Sequence, residues 1–162
     1  MIRFHAFMEV GYDGTIAVAI QLAVNEPEMD DQERMLHANL PDEANQNDVE
    51  YSLIVAFNFA TQLENSLNPS SDSQLQARIV AHENDPIIIR KNEGGWAGSF
   101  LRPREESTPI KIFRTITQVF HAGSSDAEDH EALIDLILEV MNQAGIETIH
   151  ILQQLQEPEE TP

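Results

Sequence analysis

The sequence predicts an α+β domain, a mainly antiparallel sheet of two hairpins plus a C-terminal strand, covered on one face by about three helices. Three observations predict it. Runs of alternating apolar residues flank two glycine-bearing turns. Longer runs carry apolar residues at helical spacing. One of these, Ala132 to Met141, is apolar over most of its circumference and so needs a sheet or further helices to cover it.

That last segment is the best defined. Ser125 is placed to cap it, and Glu128 stands three residues on, the spacing of a capping box. Asp126, Glu128 and Asp129 put negative charge at the positive end of the helix dipole. Glu128, Glu131, Asp135, Glu139 and Asn142 form a polar strip only about 80° wide. Gly145 supplies the left-handed residue that ends the helix. Ile146, Thr148, Ile149 and Ile151 then read as the terminal strand.

Taken from the start, Ile2 to Val10 and Ile16 to Val24 alternate around Gly11-Tyr12-Asp13-Gly14, which predicts a hairpin. Met29, Met35, Leu36 and Leu40 suggest a short helix from Glu28 to Asn39, stopped by Pro41. Pro41 to Asp48 is nearly devoid of apolar residues and reads as an exposed loop. Asp48 is then the expected cap of a helix over Val49 to Leu67. That stretch also alternates through Tyr51, Leu53, Val55, Phe57 and Phe59, but its length favours a helix.

Leu75 to Ala81 alternates weakly. Pro86 to Arg90 is a stronger strand, Glu93-Gly94-Gly95 a hairpin turn, and Trp96 to Leu101 the returning strand. Thr108 and Pro109 open a third helix on their preferred positions, with Ile112, Phe113, Ile116, Val119 and Phe120 at helical spacing and Gly123 closing it. It is expected to pack beside the Ser125 helix as an αα-hairpin. Residues 1–155 thus form a single domain, and 156–162, with three glutamates and two prolines, a flexible acidic tail.

Charge bounds the function. The 162 residues carry 28 acids against 9 bases, a formal −19. Seven of the nine bases lie between Arg78 and Arg114, where five acids leave a local +2; the remainder carries −21. Such a surface repels phosphate backbones and anionic bilayers, which argues against direct nucleic-acid and membrane binding. Adaptation to high salt is an alternative source of the acidity, and the abundance of Asn and Gln argues against it. With no cysteine there is no disulfide, thiolate site or cysteine nucleophile. The first residues lack the apolar run of a signal peptide, and no stretch is long and apolar enough to span a bilayer. An intracellular, cytoplasmic or viral setting is the expectation.

No motif specifies chemistry. The six histidines lack metal-site spacing, and no HExxH occurs. Asp126 and His130, with His121 nearby, are the nearest approach to a metal set. His82 and Asp85 share a polar turn that turn chemistry alone explains. Gly94 to Gly98 lacks phosphate-loop spacing, and no GxSxG occurs. No catalytic residue, metal or cofactor is expected.

The reading that follows is a non-enzymatic acidic interaction module, adaptor or inhibitor-like, docking on the basic surface of a protein partner. Trp96 with Arg90, Lys91, Arg102 and Arg104, and the acids Asp42, Glu43 and Asp48, are the candidate partner-binding residues. One alternative is a structural subunit of a homo-oligomeric, virion-like assembly, in which the Gly94 hairpin of one copy meets the acidic flank of another. Another is a small hydrolase using His82 or His130 with neighbouring carboxylates.

Overall fold

A computed structural model describes residues 6–10, 16–20, 43–67, 73–80, 86–93, 100–120 and 124–151. They have mixed α and β content, with two α-helices among them. Strands β1 (Ala6–Val10) and β2 (Ile16–Ile20) form the first hairpin. Its register pairs Ala6 with Ile20, Met8 with Val18 and Val10 with Ile16.

β3 (Glu43–Asn45) leads directly into α1 (Gln46–Leu67). The Asn45 side-chain oxygen accepts from the Asn47 backbone N–H at 3.0 Å, the bond of an N-cap. The helix therefore starts before Asp48, which lies within its first turn and does not cap it. The expected exposed loop from Pro41 to Asp48 is corrected too, since Glu43 and Ala44 are buried in a strand. The polar groups of Glu43 and Gln46 are met inside the fold.

After α1 come β4 (Ser73–Ala77) and β5 (Ile87–Arg90). β5 is the centre of a three-stranded sheet, parallel to β3 through Ala44 and Ile89, antiparallel to β8 (Pro109–Ile110) through Ile87 and Ile110. The parallel pair is possible because α1 lies within the crossover between β3 and β5. Ile87, Ile88 and Ile89 are all buried, as a continuous apolar run in a central strand requires. β6 (Asn92–Glu93) and β7 (Phe100–Leu101) pair as the second hairpin. β7 pairs with β6, not with β5.

The expected helix from Pro109 to Phe120 does not form. Those residues give β8, an irregular link and β9 (Ile116–Phe120), which pairs antiparallel with β4, Ile116 opposite Ala77 and Phe120 opposite Ser73. Ile116, Thr117 and Val119 are β-branched and stiff, and β4 offers them a partner strand. The αα-hairpin expected between this segment and the Ser125 helix accordingly does not form. In place of one mainly antiparallel sheet there are four small ones among the described residues, with four antiparallel pairings and one parallel.

α2 (Asp126–Asn142) has the predicted capping box, with Ser125 and Glu128 bonded reciprocally. Gly145, at φ +70°, closes the helix. The Gly145 N–H donates to Asn142 and the Ile146 N–H to Met141, the bond pair of a Schellman motif. Leu133, Leu136, Ile137, Val140 and Met141 enter the core with Val49 and Phe57 of α1, Ile89 of β5, and Ile110, Phe113, Ile146 and Ile149. Burying each such side chain contributes about 1.5–3 kcal/mol. Ile146 and Ile149 are thus core residues, but their segment is not the expected strand.

The expected helix from Glu28 to Asn39, the turns at Gly11 to Gly14 and His82 to Asp85, the tip at Gly94 to Ser99 and the tail 156–162 lie outside the described residues. Among the described residues no helix is long and apolar enough to cross a membrane.

Candidate functional site

Three arrangements of polar side chains stand out. The first is a ridge on α2. Glu128, Glu131, Asp135 and Glu139 are all exposed on one strip, as their spacing predicts, and Asn142 ends it. The helix contains no lysine or arginine. Glu131 and Asp135, and Asp135 and Glu139, are like charges four residues apart, each pair costing a helix about 0.2–0.5 kcal/mol. The capping box and the buried opposite face hold the helix against that repulsion. The ridge therefore offers a row of carboxylates at fixed spacing on a rigid element. Such a row suits lysine and arginine side chains of another surface.

The second arrangement gathers the basic candidates. Arg90, Lys91 and Arg102 meet where β5 runs into the β6–β7 pair, and all three are half-buried. The Arg90 Nε donates to the Arg102 carbonyl at 3.0 Å, and its guanidinium faces the Glu43 carboxylate at 3.7 Å. Arg102 donates to the Glu93 carboxylate through Nε at 2.8 Å and through Nη2. Two of the basic candidates thus hold carboxylates of their own chain. Glu43, named with them from the sequence, is 4% exposed and faces Arg90. Asp48 is half-buried, and Arg104 lies in a 3₁₀ turn, Arg104–Glu106. Trp96 and Asp42 lie outside the described residues.

The third arrangement is the one that sequence reasoning missed. Gln46 and Glu50, both at 0% exposure, lie on the inward face of α1's first turns. The Gln46 amide donates to Glu50 at 2.6 Å and to the Thr148 carbonyl at 2.8 Å, and accepts from the Asn92 N–H at 3.0 Å. The Glu50 carboxylate accepts the backbone N–H groups of His150, at 2.9 Å and 3.0 Å to its two oxygens, and of Ile151, at 2.7 Å. His150 Nδ1 donates to the Asn47 side-chain oxygen at 2.9 Å, since that oxygen can only accept. This clamp takes the donors that a terminal strand would have offered a neighbour. A signal for it exists: Gln46 and Glu50 are in phase with Leu53 and Phe57, so two polar side chains sit on an apolar arc. The Asn92 side-chain nitrogen is buried beside the clamp without a hydrogen-bond partner.

His130 is exposed on α2, with Asp126 exposed one turn before it. His82 and His121 lie outside the described residues. Among the described residues no three metal-ligating side chains converge. An open recess of about 360 Å³ is lined by Ile110, Ile112, Arg114, Asn142 and Gln143. There the Gln143 amide accepts the Arg114 N–H at 2.7 Å and donates to the Arg114 carbonyl at 3.1 Å, which imitates a strand partner. Among the described residues its polar lining is the Arg114 guanidinium and the Asn142 and Gln143 amides. No family model matches the chain, and neither a curated protein nor a solved structure does.

Proposed function

We propose that this protein is a non-enzymatic interaction module whose acidic α2 ridge docks on the basic surface of a protein partner. The observation that carries the reading is the exposed file of Glu131, Asp135 and Glu139 on a capped helix that has no lysine or arginine, with the Glu128 carboxylate before them held in the cap. Like charges at helical contact distance are a local cost to the helix, and such costs mark functional surfaces. The engagement of Arg90 and Arg102 by carboxylates of their own chain argues for the acidic side, not the basic corner, as the docking face. It argues equally against assembly through the Gly94 hairpin.

The test is capture from a lysate at rising salt with two baits. One is the native chain; the other carries Glu131→Gln, Asp135→Asn and Glu139→Gln together. The native bait is expected to retain a basic protein that elutes with salt and that the neutralised bait loses. Retention of the same proteins by both baits, at any salt, would refute the ridge.

A further inference from the structure

β4 outruns its partner. Gln74, Gln76, Arg78 and Val80 are exposed while Leu75, Ala77 and Ile79 pack against the core, so a strand's alternation runs from Gln74 to Val80. β9 pairs with it only as far as Ala77, opposite Ile116. The same register would set Ile79 beside Arg114, but Arg114 gives its N–H and its carbonyl to the Gln143 side chain. Arg78, Ile79 and Val80, the last 75% exposed, are left as an overhang with no strand on either side among the described residues. Sheet edges are ordinarily guarded by lysine, proline or a bulge. Ser73–Ala77 has no lysine or proline, and its register with β9 runs without a bulge. Charge is segregated here as well. About one residue in six of the chain is acidic, yet neither Ser73 to His82 nor Ser107 to Ser125 contains an acid. Arg78 and Arg114 leave the same end of the β4–β9 pair, and both are exposed. Neither guanidinium has a carboxylate partner among the described residues, whereas Arg90 and Arg102 are held by Glu43 and Glu93.

We propose that β4 and its overhang take up an extended segment of a partner protein as an added strand, uncharged along its body and bearing carboxylates at the end that meets Arg78 and Arg114. The free edge supplies main-chain hydrogen bonds, which give a strand addition its affinity. Two unmatched guanidinium groups at one end select the carboxylates, since each fork accepts one in bidentate fashion. The uncharged body follows from the rest of the edge, where the exposed side chains are Gln74 and Gln76. It follows also from the net −19, which repels a segment acidic throughout and admits one whose charge is confined to the arginine end. This site lies apart from the α2 ridge and asks the opposite charge of its ligand, so either can hold without the other.

The experiment titrates the full chain with dye-labelled peptides of eight residues, the length of Ser73 to Val80, read by fluorescence anisotropy. Each peptide has blocked ends and alternates threonine with glutamine. One carries two glutamates at its amino end, one carries them at its carboxyl end, and one has none. An added strand runs one way along β4, so one glutamate peptide should bind at least about tenfold tighter than the other two. Arg78→Gln together with Arg114→Gln should remove that preference. Hydrogen exchange at Ile79 and Val80 should slow in the presence of the tighter peptide, which contact through side chains alone would not produce. Val80→Pro takes a donor from the overhang and should weaken binding at least about tenfold. Far-UV circular dichroism checks that the variants fold, and exchange on the native chain decides the matter should Val80→Pro not fold. No binding, or equal affinity for the three peptides, would overturn the inference. So would a preference that survives the loss of both arginines, or exchange at Ile79 and Val80 that the peptide leaves unchanged.

Discussion

Glu50 shows how far a residue's setting can depart from its type. Glutamate is rarely buried without a partner, and here three donors share one carboxylate with no exposed surface. Two of them are backbone N–H groups about a hundred positions away, so the residue works as a stitch between α1 and the segment after α2. Glu50→Ala strands those donors in the interior, each at about 1–3 kcal/mol. Urea unfolding should show about 3 kcal/mol or more lost, with Glu50→Gln milder because it keeps one acceptor. A loss below about 0.5 kcal/mol for the alanine variant would deny the clamp any weight. Gly145 is the second residue with a definite expectation. At φ +70° a side chain is strained, and a Cβ would also stand 3.3 Å from Thr108 Oγ1. Gly145→Ala should cost about 1–2 kcal/mol in the same measurement. The glycine is readable in the sequence because its signal is local. Glu50 is half readable: its phase on the helix, beside Gln46, is visible there, but its other two partners, being backbone, have no identity in a sequence.

At the scale of elements the same division recurs. α2 is legible almost throughout because cap, dipole charges, polar strip and terminating glycine all lie within the stretch that folds. Ser125→Ala should remove the cap and cost about 1 kcal/mol, read as a lowered urea midpoint with an unchanged slope. An unchanged midpoint would mean the capping box is ornamental in solution. The stretch from Pro109 to Phe120 carries apolar residues at helical spacing, and tertiary context overrides it to make Ile116 to Phe120 a strand. Ser73 to Ala77 alternates too weakly to announce itself, yet it is the strand that draws Ile116 to Phe120 out of a helix. Ile146 to Ile151 departs in the opposite way. It has strand-forming residues, but Glu50 takes its donors. Pro41 to Asp48 misleads through composition, since Glu43 is met internally by Arg90 and Gln46 by the clamp.

Across the whole molecule, charge outweighs every other feature of the composition. With 28 acids against 9 bases the folded chain repels itself, and screening should relieve it. The midpoint of thermal unfolding is expected to rise between about 0.05 M and about 0.5 M sodium chloride, and to rise less when Glu131, Asp135 and Glu139 are neutralised together. An equal rise in both proteins would show that these carboxylates do not concentrate the field.

The measurement that bears most directly on the ridge is the association rate constant with the captured basic partner, taken across salt for the native chain and for the variant neutralised at Glu131, Asp135 and Glu139. Steering by the ridge predicts a native rate that falls about tenfold or more from about 0.05 M to about 0.5 M salt, with the variant slower at low salt and nearly flat. Equal rates for the two proteins, unmoved by salt, would contradict it.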